Sequence, residues 1–190
     1  LTPVASFLGG LIHGEKLRRE VKASYAYLAE KLQFVTGIYH DETEAHIARI
    51  GEYCKLLARE TGRDAGEQED IALFARLHDI GKLRIPYGIL VKPGALDADE
   101  FEQIKHHPQW GAEILGDAEW LKMARNICLT HHEKWDGSGY PLGLRGEEIP
   151  WEGRIATIAD IYDALRSARS YKPSMSHEQA VEIILKGDGR

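Results

Sequence analysis

A histidine and an aspartate stand side by side at His78-Asp79, followed by Ile80-Gly81-Lys82, and the chain answers them downstream with His131-His132 and Asp160. Imidazole nitrogens and carboxylate oxygens brought together from separate segments are the donor set that hard-to-borderline divalent cations take, and cations so held polarise phosphate oxygens and acidify water. Lys82, three residues past the aspartate, adds an ammonium suited to a phosphate. The chemistry this set points to is metal-dependent hydrolysis of a phosphodiester.

Other residues have the spacing to join it. His46 lies four residues after Glu42, so both face one way from a helix start. His78 and Asp79 are about 100° apart at a helix end, which lets each address a different ion or lets one carboxylate bridge two, and His131-His132 repeats that geometry. His107 precedes a helix-starting Pro108, and Asp160 interrupts an apolar stripe of Ile155, Ile158, Ala159 and Tyr162, where a carboxylate wants a cation. Each has a plainer alternative: a lone helical histidine is usually a satisfied polar residue, Glu42 also reads as a helix cap, and Lys82 as a surface lysine near a helix C-terminus.

The elements that must position these groups are helices. Apolar residues recur with a 3.6-residue period and no run alternates β-branched with polar residues, so the sequence predicts an all-α fold. Val21, Tyr25, Leu28, Leu32 and Val35 step four, three, four, three, the seam of a short coiled coil. Two heptads suit a helix packed on its own domain as well as one that pairs with a second copy into a homodimer. Gly37 marks a bend. Residues 1–38 therefore read as a helical linker, and residues 39–190 as the domain that carries the chemistry, incomplete at its C-terminal end. Within it, helices are predicted over 43–60, with Ile47, Ile50, Leu57 and Ala58 on one face and Gly62 as a stop, and over 69–78, with Ile71, Phe74 and Leu77 inward. Further helices start at Asp97, whose spacing to Glu100 is that of a capping box, run from Pro108 to 115, and span 118–130 and 153–167. The Gly- and Pro-rich stretch 136–150 is too long for a mere connector.

Composition narrows the classes. Of 190 residues, 43% are hydrophobic, ordinary for one folded core. No apolar run approaches the ~20 residues of a membrane span, and the richest, 1–12, is interrupted by Gly9-Gly10. The first residue is a leucine with no secretory n-region before it, so the chain reads as excised from a longer protein. Cys54 and Cys128 lie in helical contexts without a C-x-x-C partner and read as buried thiols, which makes this a soluble, cytoplasmic piece. The formal charge of -6 sets aside a sequence-independent nucleic-acid binder, which would show a basic stripe. An anionic small molecule stays open, because cations held by a few carboxylates leave the pocket itself positive.

The string His78-Asp79-Ile80-Gly81-Lys82 resembles the signature of the HD hydrolase superfamily, and His131-His132-Glu133-Lys134-Trp135-Asp136-Gly137-Ser138-Gly139-Tyr140-Pro141 resembles the defining signature of its HD-GYP subfamily. The likeness extends from about His40 to Gly189, through Leu90-Val91-Lys92-Pro93-Gly94, Gly111-Ala112-Glu113-Ile114-Leu115 and Ala159-Asp160-Ile161-Tyr162-Asp163-Ala164-Leu165. It implies an HD-domain helical bundle that hydrolyses cyclic dinucleotides, chiefly cyclic di-GMP to pGpG and GMP, by attack of a hydroxide shared between metals that Asp79 bridges. By matching position, the resemblance puts the metal ligands on Glu42, His46, His78, Asp79, His107, His131, His132 and Asp160. It favours His107 over His106, because the family's histidine stands four residues before the glycine that matches Gly111. His13, His40 and His177 match nothing and read as solvated. In this family a glutamate at the position of Glu42 accompanies three metals rather than two; Glu44 stands where the family often has glycine, so the local turn differs. Mixed imidazole and carboxylate ligation without cysteine suits iron or manganese. Asp79 and Lys82 are the implied catalytic groups, Lys82, Tyr140, Arg169 and Lys172 the implied substrate contacts, and Asp163 a partner that orients a ligand. The loop around Gly139-Tyr140-Pro141 lids the substrate or offers a surface, associated in this family with docking of GGDEF domains. Two rival readings are a hydrolase of another cyclic dinucleotide such as cyclic GMP-AMP, and a module that binds a nucleotide or a signalling partner without turnover.

Overall fold

The computed structural model describes residues 3–39, 44–167 and 174–187, and every regular element among them is helical. The α-helices are α1 (Pro3–Tyr39), α2 (Glu44–Glu60), α3 (Ala65–Phe74), α4 (Tyr87–Leu90), α5 (Ala98–Ile104), α6 (His107–Leu115), α7 (Lys122–Thr130), α8 (Trp151–Arg166) and α9 (His177–Lys186). None is long and apolar enough to cross a membrane. α1 continues through Gly37, where the sequence predicts a bend.

Local chemistry sets the boundaries that the apolar period alone misplaces. α3 starts at Ala65, ahead of the expected 69, because Asp64 accepts the Glu67 N–H at 2.9 Å while Glu67 accepts the Asp64 N–H at 3.1 Å. It stops at Phe74, and the chain tightens into 3-10 turns at Ala75–Leu77 and Ile80–Arg84 with His78-Asp79 between them, so the expected single helix to 78 does not form. The start expected at 118 is a 3-10 turn, Glu119–Leu121, leading into α7, and α8 begins at Trp151 behind Pro150. The capping box at Asp97 and Glu100 opens α5 as its spacing predicts. α9, absent from the sequence reading, is capped by Ser176 and Gln179 and closed by Gly187.

α2 packs on α3 and α8, and α7 on α6 and α8. Their shared core holds Ile50, Cys54 and Ala58 of α2, Ile71 and Phe74 of α3, Ile127 and Cys128 of α7, and Ile155 and Ala159 of α8. Each isoleucine taken out of water there contributes roughly 2 kcal/mol. Both cysteines are buried and free. Burial pushes the Cys54 thiol up to about 12, and it pushes up Cys128 as well, whose thiol donates to the Leu77 carbonyl at 3.2 Å.

Two contacts bear on the site. α1 packs on the two 3-10 turns that flank His78-Asp79, burying Ala29 and stacking Tyr25 flat on Trp120 with ring centroids 3.5 Å apart. The other seam positions Val21, Leu28 and Leu32 face outward, 39%, 52% and 39% exposed, while Val35 offers no described side chain. On the far side, α6 crosses the second turn so closely that a Cβ on Gly81 would lie 1.9 Å from the His107 carbonyl and 2.4 Å from the Gly111 nitrogen. Only glycine permits that backbone-on-backbone contact, and it brings His107 to Asp79.

Candidate metal centre

His78 and His131 each end a helical turn and His107 opens α6, and all three rings are anchored in the same way. The Nδ1–H of His78 donates to the Ala75 carbonyl at 2.9 Å, that of His107 to Ile104 at 2.7 Å, and that of His131 to Cys128 at 2.9 Å and Ile127 at 3.0 Å. A carbonyl only accepts, so the proton sits on Nδ1 and each Nε2 keeps its lone pair. Those lone pairs converge on Asp79. Its Oδ1 lies 3.0 Å from His107 Nε2 and 3.7 Å from His131 Nε2; its Oδ2 lies 3.1 Å from His78 Nε2 and 2.5 Å from Lys82 Nζ. His107 Nε2 and His131 Nε2 are 3.3 Å apart, two acceptors face to face. Asp79 Oδ1 is buried and, among the described residues, has no hydrogen-bond partner. Acceptors crowded in this way repel one another, and a cation among them turns the repulsion into ligation.

Ligand atoms of Asp79, His107, His131 and His132 lie within 4.8 Å of one another, as do those of His46, His78 and Asp160. Asp79 joins the two groups, one oxygen toward each, the placement a bridging carboxylate needs. Burial alone would raise the Asp79 carboxyl, but its neighbours, the Lys82 charge foremost, outweigh it and hold the group well below the usual carboxylate range. Burial lowers His131 and His132 below the ordinary histidine value, and neighbouring imidazoles lower them further. The rings are thus kept neutral, the form that binds metal.

In the second group, His46 is oriented by a side chain. His46 Nδ1 stands 2.6 Å from Asp163 Oδ2, leaving Nε2 toward Asp160 at 4.0 Å. Asp163, 1% exposed, is gripped by Arg49 through Nε at 2.5 Å and a terminal nitrogen at 2.9 Å, with the Ser167 hydroxyl 3.2 Å away. Burial works to raise the Asp163 carboxyl, and the Arg49 and His46 hydrogen bonds win, lowering it. Arg49 carries no mark in the sequence; its signal is only that it lies one turn beyond His46 on a helix facing α8.

The third wall is the loop after His132. The Tyr140 N–H donates to the His132 carbonyl at 3.2 Å, and its ring stacks on His132 with centroids 4.8 Å apart. Burial, then the Asp79 charge, push the phenol up to about 12. A Cβ on Gly139 would lie 2.4 Å from the Lys134 nitrogen, so glycine is what lets the loop fold back onto the histidine pair. Glu133, to which the sequence reading gave no role, is buried inside the loop and accepts backbone N–H groups from Leu142, Gly143 and Leu144.

Of the expected site residues, His46, His78, Asp79, Lys82, His107, His131, His132, Tyr140 and Asp160 are drawn together, while Glu42, Arg169 and Lys172 lie outside the described residues, as does His40. His106 is exposed and turned to Trp110, not to Asp79. His13 is exposed, and His177 is exposed with Nδ1 2.9 Å from the Tyr162 hydroxyl.

The HD domain family profile matches residues 24–190. A protein named "Cyclic di-GMP phosphodiesterase" from Vibrio cholerae is 43% identical over 190 residues, covering 92% of this chain and 39% of that protein. From the same organism, a "3'3'-cGAMP-specific phosphodiesterase 2" is 46% identical over 151 residues, covering 78% of this chain and 29% of the relative. The chain thus spans well under half the length of these relatives. Among solved structures, Bd1817, a HDG"Y"P protein from Bdellovibrio bacteriovorus, superposes with a TM-score of 0.61 at 24% identity, covering 76% of this chain and 47% of that one, a likeness of fold.

Proposed function

The chain belongs to the HD domain family, and from that premise and the geometry around Asp79 we propose that it is a metal-dependent phosphodiesterase of the HD-GYP type that opens cyclic di-GMP to pGpG and GMP. The observation that carries the proposal is the convergence of three proton-free Nε2 atoms on the two oxygens of one buried aspartate. His107, His131 and His132 would hold one divalent ion and His46, His78 and Asp160 another, with Asp79 between them; Glu42 is the candidate for a third. Iron(II) or manganese suits this oxygen and imidazole set. When bound, such ions supply Lewis-acid polarisation of a phosphoryl oxygen and an acidified water.

The chain's own groups do the remainder. The Lys82 ammonium, held 2.5 Å from Asp79, sits where charge builds on a phosphoryl group and offsets it. The neutral Tyr140 phenol walls the site and offers a hydrogen bond to the bound dinucleotide. Asp163 keeps the His46 lone pair aimed inward. Arg169 and Lys172 are assigned to the second phosphate or a guanine. The exposed apolar residues of α1, Val21, Leu28 and Leu32 among them, are assigned to pairing with a second copy, with residues from 39 onward as the catalytic unit. The Gly139-Tyr140-Pro141 loop is assigned to a GGDEF-domain partner, and the two buried free thiols fit a reducing, cytoplasmic setting.

Anaerobic loading with iron(II) or manganese, metal analysis, and chromatography after incubation with cyclic di-GMP test this. We expect at least two ions per chain and linear product, with Asp79→Ala and His131→Ala lowering turnover by roughly 10³-fold, about 4 kcal/mol of barrier. Unchanged cyclic di-GMP from a fully loaded chain would move the assignment to a non-turnover binding module. The 46% identity to a cGAMP-specific relative favours cyclic GMP-AMP as a second substrate reading, decided by the ratio of kcat/KM for the two dinucleotides.

A further inference from the structure

Glu133 is 2% exposed, and among the described residues no ion pair accompanies it. A buried carboxylate needs donors, and here the loop supplies them from its own backbone. Oε1 accepts the Leu142 N–H at 2.6 Å and the Gly143 N–H at 3.1 Å, while Oε2 accepts the Leu144 N–H at 3.1 Å. Successive N–H groups turned onto one anion form a cradle of the kind that elsewhere binds phosphate, filled here by the protein's own side chain. The apolar side chain at this point does not anchor the loop, since Leu142 is 52% exposed. Between the two ends of the clamp lies Tyr140, bonded through its N–H to the His132 carbonyl and stacked on the His132 ring, without a hydrogen bond to Glu133 itself.

We propose that Glu133 is a positioning residue for substrate: by holding the backbone at 142–144 it keeps Tyr140 pressed against His132, where the ring forms the wall on which the dinucleotide seats. The inference rests on the phosphodiesterase reading and adds to it a group that never touches the reacting atoms. Glu133→Gln retains shape and one acceptor but turns an N–H donor toward a backbone donor, so the clamp opens at one end. With metal-loaded protein we expect unchanged metal content, kcat within twofold of the parent, and KM for cyclic di-GMP raised about tenfold. In a Tyr140→Ala background the same change should move KM by less than twofold, because the residue it acts through is gone. Hydrogen exchange supplies a readout independent of turnover: the Tyr140 amide should exchange about tenfold faster in Glu133→Gln, although Glu133 does not bond it. Glu133→Asp, which keeps the charge and withdraws it by one methylene, should shift both measures in the same direction and serves if the Gln variant does not fold. Equal KM effects in both backgrounds, acceleration confined to the amides of 142–144, or loss of metal with a fall in kcat would overturn the proposal. A wild-type chain that binds metal yet leaves cyclic di-GMP intact would instead overturn the phosphodiesterase reading, and exchange at Tyr140 would still decide what Glu133 holds.

Discussion

Three buried imidazoles give their Nδ1 protons to main-chain carbonyls three residues back, so one hydrogen bond ties the ring to its turn and aims the opposite nitrogen. His46 differs in depending on the Asp163 carboxylate. Asp163→Asn should therefore weaken metal binding about 10–100-fold while leaving the helices intact, measured by competition with a chromophoric chelator. Gly81→Ala should be worse for the fold. A methyl 1.9 Å from a backbone oxygen forces α6 away from the turn, and we expect a loss of about 3 kcal/mol in urea unfolding together with loss of metal. The residue types and spacings revealed the imidazoles and Asp79 because the chemistry needs those groups. Arg49 and Glu133 stayed hidden because they act on other protein groups, one through a side chain that is distant in sequence and the other through the backbone of a loop.

At the scale of elements, period and caps made α2, α3 and α5 to α8 legible, while the single turn of α4 behind Pro86 was not. The break at Phe74 was not legible, because Ala75 to Leu77 continue the apolar pattern while the chain changes from α to 3-10 geometry. The turns so formed pack against α6 and α1, a tertiary constraint that propensity does not carry. α1 packs on the same turns and buries Ala29, and it reaches the separate turn 119–121 through the Tyr25–Trp120 stack. Tyr25→Ala should cost about 1 kcal/mol, read from the urea midpoint, with the effect largely absent in a Trp120→Ala background.

For the whole molecule, an inward-facing set of acceptors predicts that the folded state is stabilised by cations. An ion that binds only the folded chain stabilises it by about 2.7 kcal/mol when present at a hundred times its Kd, so chelation should lower Tm by about 5–10 °C in calorimetry, and added manganese should restore it. A Tm indifferent to chelator and metal would contradict the centre described here.

The two ways in which the imidazoles of that centre are held bear on how it can change. Main-chain oxygens steer His78, His107 and His131, and no point mutation deletes a main-chain oxygen; His46 is steered by an aspartate that a single codon change removes. Drift or an engineer seeking to retune ion preference thus has a handle at His46, between α2 and α8, while the aim of the other three imidazoles is hard-wired into the path of the chain.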